Sequence, residues 1–490
     1  MAAWAAKKGI DILTTGDWTH PLWFREIQTQ LEEANEGVYR LRSTDYSKKA
    51  VDSSQIAVSQ KEPLFLLTVE VSSIYSQGGR LRRIHNLIFA PSFEIAEKIG
   101  KELHRRGVNL MSDGRPIMGL PSKSLLELIL EIDRRALLVP CHAWTPWFSL
   151  YGANSGFDSI EECFGDYSKY IYGIETGLSS DPAMNWEIAD LANRSILSFS
   201  DAHSPAKMGR EATVFELSDV SYENVRKAII GKQSTEDGKQ ITDSSEDRSP
   251  SSVIRNPSSD IRAQSSENRI AYTIEFYPEE GKYHYTGHRN CKVVQSPEET
   301  AKKGTKCPVC GRTLTVGVEH RVQELAQKTQ SIGKQNTEDR SQSSVIRNPS
   351  SDIRAQSSEK QKDIHGVSWV KDPEDKRPPY VSLVPLLEIL AEAQSSTTAS
   401  QKVKDLYDQL TKSLGTELSI LLRVSIEDIE RKAGFKIAQG VRKVRERNIV
   451  VIPGYDGEYG VVKIWGEGKD VGKDVDEEGK AKENAQLGLF

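Results

Sequence analysis

Six segments of the chain place a carboxylate or an imidazole within, or directly after, a run of apolar and β-branched residues. Such runs predict β-strands, so these side chains are expected near strand ends. Ligands from several strand ends can meet only where those ends share one rim, as at the catalytic face of a β/α barrel. The candidate metal ligands are Asp17, His20, Glu70, His85, His142, Glu175, Asp201 and His203.

The chemistry of this set favours divalent metal ions. Asp, Glu and His suit zinc, manganese or iron, and a bridging carboxylate can hold two ions about 3.5–4 Å apart. A single Asp at a strand end is more commonly a helix N-cap, but the number of matches favours a multinuclear site. We expect two or three divalent ions (zinc, manganese or magnesium) and phosphoester hydrolysis as the reaction.

A second group of ligands has the spacing of a closed structural zinc site. His288-Arg-Asn-Cys291 is followed by Cys307-Pro-Val-Cys310, so each pair of ligands is separated by two residues. Three thiolates and one imidazole would complete a tetrahedral site for one zinc ion. His284 and His320 are alternative fourth ligands. The clustering of three of the five cysteines here favours metal binding over a disulfide framework.

Basic residues in the zinc-binding segment and near a predicted helix end are candidates for contacts with DNA phosphates. Each of them individually is as readily part of a solvated surface. Two aromatic segments, Arg377–Tyr380 and Tyr455–Tyr459, could read an extruded base, although packing is the favoured interpretation. The candidate DNA-binding residues are Arg289, Lys292, Arg442, Lys443 and Arg445.

The last five residues, Gln486-Leu-Gly-Leu-Phe490, resemble the peptide that binds the bacterial sliding clamp. Leu487, Leu489 and Phe490 would fill an apolar pocket, and Gln486 would form hydrogen bonds at its rim. The Gly-, Lys- and Glu-rich tail before them would supply reach and raise the effective concentration at DNA.

The elements that must position the candidate ligands alternate between strands and helices. Apolar periodicity predicts helices over Ser92 to Arg106, Ser122 to Arg134 and Tyr222 to Ile230. This alternation predicts an α/β fold with a mostly parallel sheet. A hairpin is predicted from Asn448 to Ile452 and from Gly460 to Trp465.

Composition divides the chain into segments that we interpret as domains and linkers. The 17-residue sequence Ser251–Glu267 recurs unchanged at Ser343–Glu359, and such verbatim repetition of polar residues indicates recent in-frame insertions without a core. The predicted segments are a catalytic barrel (1–233), a disordered insert (234–268), a zinc-binding domain (269–332), a second disordered insert (333–365), a mainly helical domain with a terminal hairpin (366–465) and a flexible tail (466–490).

Charge and hydropathy restrict the class of protein. A net charge of −5 over 490 residues means that any DNA contact must use local basic patches. No stretch approaches the ~20 apolar residues needed to span a bilayer, and no signal peptide is recognisable, so we predict a cytoplasmic protein. We also expect it to be a monomer. The absence of a Gly-X4-Gly-Lys-Ser/Thr motif argues against ATP-driven unwinding.

Five motifs resemble the endonuclease Q family of the PHP (polymerase and histidinol phosphatase) superfamily. The resemblance continues through the zinc-binding and C-terminal segments. It implies a distorted PHP-type β/α barrel, a small zinc-knuckle domain and a mainly helical C-terminal domain similar to part of UvrD-type helicases. The motifs are Gly16-Asp-Trp-Thr-His-Pro21, Val69-Glu-Val-Ser-Ser-Ile-Tyr-Ser76, Pro140-Cys-His-Ala-Trp-Thr-Pro-Trp147, Glu175-Thr-Gly-Leu-Ser-Ser-Asp-Pro182 and Ser200-Asp-Ala-His-Ser-Pro205.

The resemblance also implies roles for the ligands. Glu70 would bridge two metals, and His85 and His142 would complete one site. The family begins with a strand that carries a His-X-His pair, and this sequence begins after it. We therefore expect a start upstream, and too few ligands for two metal positions in the chain as written. The other implied roles are Asp201 at a second site, His20 and His203 at a third, Asp17 and Glu175 as orienting groups, and Glu70, His142 and Asp201 as catalytic residues.

The function implied by the resemblance is a DNA repair endonuclease. It would cleave the phosphodiester bond 5′ to a deaminated base (uracil or hypoxanthine) or an abasic site, by hydrolysis with several metal ions. Two alternatives are a PHP phosphoesterase that acts on a small phosphomonoester and an inactive scaffold that binds DNA or the clamp. The phosphoesterase would need neither the zinc knuckle nor the clamp peptide, which favours the nuclease.

Overall fold

The structure is a computed structural model that describes residues 1–42, 62–111, 114–231, 268–335 and 359–466. The predicted clamp peptide Gln486–Phe490, the tail before it and most of the two polar inserts lie outside the described residues. None of the helices that the structure describes is both long enough and apolar enough to cross a membrane.

The N-terminal part of the fold is built around a seven-stranded mixed sheet. Its elements are α1 (Ala2–Lys8), β1 (Ile12–Thr14), α2 (Pro21–Gln30), β2 (Leu31–Asn35), β3 (Val38–Leu41), β4 (Leu64–Gln77), β5 (Arg80–Ala90), α3 (Phe93–Arg105), β6 (Ile117–Met118), α4 (Ser122–Ile132) and β7 (Leu137–Pro140). The strands pair in the order β2-β3-β4-β5-β7, and β1 and β6 both pair in parallel with β4.

The prediction of a mostly parallel sheet is wrong, because β4 and β5 form a long antiparallel hairpin. The pairing ends at Gln77 and Arg80, and the connecting Gly78 and Gly79 have φ angles of 60° and 71°. Two consecutive residues with positive φ form a tight turn whose twist suits an antiparallel pair. β2 with β3, β3 with β4, and β5 with β7 are also antiparallel.

The next elements are α5 (Ile160–Phe164), β8 (Gly173–Glu175), α6 (Pro182–Trp186), β9 (Ser195–Leu197), β10 (Ala212–Glu216) and α7 (Tyr222–Ile230). β8 and β9 form a separate parallel pair, so closure of a β/α barrel stays a prediction. The three predicted helices are confirmed as α3, α4 and α7, with ends within two residues of those expected. Side chains of Ser92 and Ser221 cap α3 and α7 by accepting backbone N–H groups.

A second sheet connects segments from different parts of the chain. The intervening elements are β11 (Arg269–Glu275), β12 (Thr286–His288), β13 (Val293–Gln295), α8 (Pro297–Lys303), α9 (Val318–Gln335), β14 (Glu359–Lys362), β15 (Ser368–Lys371) and β16 (Tyr380–Ser382). The sheet has the order β10-β11-β16-β15-β14, so its strands come from both sides of each predicted insert. β14 lies inside the segment 333–365, so the prediction of disorder is wrong for residues 359–362, and it stays a prediction for the part of this segment that the structure does not describe.

The C-terminal part is helical from Leu386 onward and ends in the predicted hairpin, which is confirmed. Its elements are α10 (Leu386–Ala393), α11 (Gln401–Ser413), α12 (Glu417–Leu422), α13 (Ile426–Ala433), α14 (Phe435–Arg445), β17 (Val450–Ile452) and β18 (Val461–Lys463). One large apolar core packs α3 and α4 against the N-terminal sheet, and another packs α10–α14 against the second sheet. The structure is thus mixed α/β, as predicted.

Candidate metal centres and active site

Glu70, His85 and His142 come together at one face of the N-terminal sheet. Ser72 of β4 pairs with His85 of β5, and Glu70 lies two residues before Ser72 and therefore on the same face. His142 follows β7, whose Pro140 pairs with β5. Nδ1 of His85 lies 2.9 Å from Oε1 of Glu70 and 3.1 Å from Nε2 of His142, and Nε2 of His142 lies 3.5 Å from the same Glu70 oxygen.

The backbone of His142 is held by Glu175 at the end of β8. The N–H of His142 donates to Oε2 of Glu175 over 2.6 Å, and the N–H of Ala143 donates to the carbonyl of Glu175 over 3.0 Å. His142 has a φ of 28°, a left-handed conformation that non-glycine residues rarely adopt. Gly177 packs so closely against His142 that a Cβ at position 177 would clash with the Cβ of His142.

Arg115 is a site residue that the sequence did not predict. Its Nη1 lies 2.7 Å from Oε1 of Glu70 and 2.6 Å from Nδ1 of His85. The segment Gly114-Arg115-Pro116 contains no metal-ligand spacing, so motif reasoning had no signal there. Only the parallel pairing of β6 with β4 brings the arginine to this site.

The electrostatics of the set suit a cation. Burial opposes ionisation of Glu70, but hydrogen bonds from His142 and His85 and the charge of Arg115 hold its pKa well below the usual range. Burial lowers the pKa of His85 to about 4, so this imidazole is neutral and able to act as a ligand at neutral pH. Burial also raises the pKa of Glu175 to about 7. One ligand atom from each of Glu70, His85 and His142 fits within 4.8 Å of the others, and a carboxylate with two imidazoles fits a divalent ion.

Four of the other predicted ligands, Asp17, Glu175, Asp201 and His203, lie around one cavity with Glu70 and His142, and His20 is not part of its lining. The cavity has a volume of about 880 Å³, and its lining includes Asp17, Glu70, His142, Glu175, Asp201 and His203. Nε2 of His203 lies 3.5 Å from Oδ1 of Asp201, but 73% of the His203 side chain is exposed. Asp201, like His142, has a positive φ, of 40°.

Asp17 and His20 take part in local turn and cap contacts. Oδ1 of Asp17 accepts the N–H and the hydroxyl of Thr19, and burial raises the pKa of this carboxyl. Nδ1 of His20 accepts the N–H of Trp23 at the start of α2. These contacts match the alternative interpretation of such residues as helix-capping groups, and a metal role for either residue stays a prediction.

The second predicted ligand group also converges. Single ligand atoms of His288, Cys291, Cys307 and Cys310 all lie within 4.8 Å of one another, in and after β12 and before α9. The alternative His284 instead pairs with Glu319, its Nε2 lying 3.3 Å from a carboxylate oxygen. Burial opposes ionisation of Cys307, but backbone N–H groups and the side chain of His288 lower its pKa to about 6. A thiolate is the form that binds metal, so the four residues form a candidate metal site.

The predicted DNA-binding residues differ in exposure. Arg289, Lys292 and Arg442 are exposed, and Lys443 is partly exposed. The prediction for Arg445 is wrong, because this side chain is 2% exposed and its guanidinium donates to carbonyls of Leu421, Ile420, Val424 and His365. It joins α14 to α12 and cannot reach a phosphate.

The two aromatic segments also differ in the burial of their tyrosines. Tyr380 is buried, and its hydroxyl lies 3.1 Å from a carboxylate oxygen of Asp181, as the packing interpretation predicts. Tyr459 is instead exposed, and the ammonium group of Lys282 lies 4.5 Å from the centre of its ring.

These observations define a mixed α/β protein with two candidate metal centres, one of them at the wall of a large cavity. A family model described as the MJ0043 C-terminal domain matches residues 385–448. The chain is 27% identical over 330 residues to the uncharacterized protein MJ0043 of Methanocaldococcus jannaschii, covering 66% of this chain but only 31% of that protein. It is 24% identical over 463 residues to the uncharacterized protein YqxK of Bacillus subtilis, covering 93% of this chain and 89% of that one.

Two solved structures are similar over nearly the whole chain. The lesion-specific endonuclease PfuEndoQ from Pyrococcus furiosus has a TM-score of 0.65 at 25% identity, covering 94% of this chain and 89% of the other. Endonuclease Q in complex with a 27-mer duplex carrying an abasic lesion has a TM-score of 0.66 at 25% identity, covering 96% and 93%. The resemblance to endonuclease Q is therefore confirmed.

Proposed function

We propose that this protein is a DNA repair endonuclease that hydrolyses the phosphodiester bond 5′ to a deaminated base or an abasic site. The observation that carries the proposal is the convergence of Glu70, His85 and His142, whose ligand atoms fit one metal ion. Glu70 and His142 also line a cavity of about 880 Å³. The likeness to solved endonuclease Q structures, one of them bound to duplex DNA, supports this assignment.

The candidate ligands would bind several metal ions with different roles. Divalent ions bound at the cavity would act as Lewis acids on the phosphoryl group. Glu70, His85 and His142 would bind one ion, and Glu175 fixes the backbone of His142. We assign Asp201 to a second ion and His20 and His203 to a third, as the resemblance implies. One zinc ion would be held by His288, Cys291, Cys307 and Cys310.

DNA would be bound through the exposed basic residues near the zinc site and on α14. Arg289, Lys292 and Arg442 are exposed and would contact phosphates, and such contacts orient a duplex without reading its sequence. The lesion itself would be extruded from the helix, at least cost where base pairing is already weak.

The test is a nicking assay on labelled duplexes that carry one uracil, hypoxanthine or abasic site, with Mn²⁺ or Mg²⁺ supplied. We expect a single nick 5′ to the lesion and none in undamaged duplex. Glu70→Gln should reduce the nicking rate by more than roughly 100-fold. Loss of a group that only orients a metal ligand commonly costs up to about 100-fold, and Glu70 is proposed to be a ligand itself. Glu94→Gln, at an exposed glutamate of α3, is the control. Protein that binds metal but leaves all three lesions intact would disprove the proposal.

Metal analysis separates the remaining alternatives. An inactive scaffold would hold no metal beyond the zinc site, whereas the nuclease should bind further divalent ions at the cavity. A phosphoesterase would hydrolyse a small phosphomonoester and leave lesion-containing DNA intact.

We also propose that Gln486, Leu487, Leu489 and Phe490 bind the bacterial sliding clamp. Deletion of residues 486–490 should abolish co-elution with purified clamp and leave nicking in the absence of clamp unchanged. Co-elution that survives the deletion would assign clamp binding to another part of the chain.

A further inference from the structure

Arg115 is positioned beside the metal-ligand set by backbone pairing. Gly114 has a φ of 88°, and β6 begins three residues later in parallel register with Ser72 and Ser73 of β4. The N–H of Ser72 donates to the carbonyl of Pro116 over 2.9 Å. Because Glu70 lies two residues before Ser72, the backbone holds the guanidinium within reach of the Glu70 carboxylate.

The guanidinium contacts ligand-type atoms of two of the three candidate metal ligands. Nη1 of Arg115 lies within 2.7 Å of both Oε1 of Glu70 and Nδ1 of His85. A guanidinium stays charged, has five N–H donors and has no acceptor, so it pairs with an ionised carboxylate and with the lone pair of a neutral imidazole. In this arrangement Arg115 places a positive charge beside Glu70 and His85.

Arg115 and a divalent ion cannot contact Oε1 of Glu70 and Nδ1 of His85 at the same time. Metal–oxygen and metal–nitrogen distances at zinc sites are about 2.0–2.2 Å. An ion bound through Oε1 of Glu70 and Nδ1 of His85 would therefore exclude Nη1 of Arg115 from its present contacts with the same two atoms. Two cations against one carboxylate oxygen also repel each other strongly at this separation. Arg115 must therefore withdraw when an ion binds through these two atoms.

The space into which Arg115 can withdraw is the cavity. Gly114 and Arg115 both line it, together with Asp201 and His203, and 30% of the Arg115 side chain is exposed. Arginine binds phosphate with two parallel hydrogen bonds, which makes it suited to the non-bridging oxygens of a phosphodiester. A withdrawn Arg115 would face the phosphate that the metal ions hold.

We propose that Arg115 is an exchangeable cation of the active site. It pairs with Glu70 and His85 before metal binding, yields those atoms to a divalent ion, and then contacts the phosphate at the cleavage site. The second half of this inference rests on the proposed function, because it requires a phosphodiester substrate.

The first arm of the test measures metal binding without DNA. Mn²⁺ is titrated calorimetrically into the wild type, Arg115→Gln, Arg115→Lys and the control Arg105→Gln, an exposed arginine of α3 that is paired with Glu102. We expect Arg115→Gln to bind Mn²⁺ on the order of 10-fold more tightly, because a competing charge is removed. Arg115→Lys and Arg105→Gln should stay close to the wild type, and thermal unfolding checks that each variant folds.

The second arm measures single-turnover nicking of abasic duplex at saturating Mn²⁺. Arg115→Gln should be roughly 10²–10³-fold slower, as for loss of one group that stabilises charge in a transition state. Arg115→Lys should recover part of the rate. Tighter metal binding combined with slower nicking is a pattern that a purely structural role would not give.

The two experiments test the two parts of the proposal independently. Mn²⁺ binding by Arg115→Gln that is unchanged or weaker would overturn the exchange. Tighter binding with an unchanged nicking rate would overturn the phosphate contact. If the wild type nicks no lesion-containing duplex, the proposed function fails and the phosphate contact fails with it, while the Mn²⁺ affinities still decide the exchange.

Discussion

His142 and Asp201 share an unusual backbone conformation at the candidate active site. Their φ angles of 28° and 40° lie in the left-handed region, which costs a non-glycine residue free energy unless its surroundings enforce it. For His142 the enforcing contacts are visible: the carboxylate of Glu175 accepts its N–H, and Gly177 packs against its Cβ. The end of β8, which follows His142 in the chain, therefore fixes the orientation of the imidazole that contacts Glu70.

Gly177→Ala should displace His142. The added Cβ would meet the Cβ of His142, and the φ of 59° at position 177 adds backbone strain of about 1–3 kcal/mol. We expect lower stability together with weaker Mn²⁺ binding, measured by chemical unfolding and calorimetry. Gly107→Ala is the matched control, because Gly107 has a φ of 84° with open space around it. If both variants lose only stability, Gly177 does not position His142.

The site residues that sequence could predict are those with a local signal. Glu70, His85 and His142 each lie in or after an apolar run, so their approach to one another followed from strand ends. Arg115 has no such signal, because its place depends on the pairing of β6 with a strand 45 residues earlier. The DNA-binding prediction for Arg445 was wrong because the local signal was misleading. Its basic neighbours in the sequence indicate a charged surface, and only tertiary packing buries this side chain.

Among the elements, helices were easier to predict than sheet direction. α3 and α7 have serine caps and apolar periodicity within their own residues. The direction of β4 against β5 depends on a turn of only two residues, Gly78 and Gly79, and this dipeptide between apolar runs is a recognised hairpin signal. The alternation of strands and helices by itself predicts crossovers between parallel strands, and it contains no information on this hairpin.

The contact between β10 and β11 predicts a dependence of stability on pH. Glu275, at the end of β11, and Glu211, just before β10, are almost fully buried, and burial raises both pKa values well above 4.5. The folded protein therefore keeps a proton that the unfolded chain loses near pH 4.5. The stability that these carboxyls contribute is greatest below that pH and decreases as the pH rises toward their folded pKa values.

Glu275→Gln should flatten this decrease. The amide keeps an oxygen to accept from Thr176 and Ser198 and removes the ionisation. Urea unfolding at pH 5 and pH 8 should show a smaller loss of stability in the variant than in the wild type. Glu216→Gln, at an exposed glutamate of β10, should leave the wild-type difference unchanged. An equal pH effect in all three proteins would contradict the assignment.

The segment that carries His288, Cys291, Cys307 and Cys310 is a candidate metal site, and we expect its folding to depend on a bound metal ion. Ligation contributes folding free energy directly in small segments of this kind. Cys310→Ser should lower the metal content by about one ion per chain, and it should weaken DNA binding if Arg289 and Lys292 contact phosphates as proposed. Cys163→Ser, at a buried cysteine beside Tyr75, should keep that metal. Elemental analysis and a DNA-binding titration measure both effects, and an unchanged metal content in Cys310→Ser would exclude Cys310 as a ligand.

At the scale of the whole molecule, the first helix is tied to the C-terminal helices. Lys8 of α1 and Glu417 of α12 form an ion pair of 2.7 Å, with side chains that are 2% and 4% exposed. Glu417 also accepts the hydroxyl of Tyr407 and the N–H of Leu386, so one carboxylate joins α1, α11, α10 and α12. No local pattern in the sequence could indicate a contact across more than 400 residues.

Lys8→Met should reduce the free energy of unfolding by about 3–5 kcal/mol, because it leaves the Glu417 carboxylate buried without its cation. The neighbouring pair of Lys7 and Asp408 is the control: its N–O distance is 2.8 Å, but its side chains are 32% and 45% exposed. Lys7→Met should therefore cost less than about 1 kcal/mol. Chemical unfolding of both variants, and of Lys8→Met combined with Glu417→Gln, completes the comparison. The double variant should recover part of the loss, because the uncompensated charge is gone. Equal effects of Lys7→Met and Lys8→Met would mean that α1 does not hold the C-terminal helices through this buried pair.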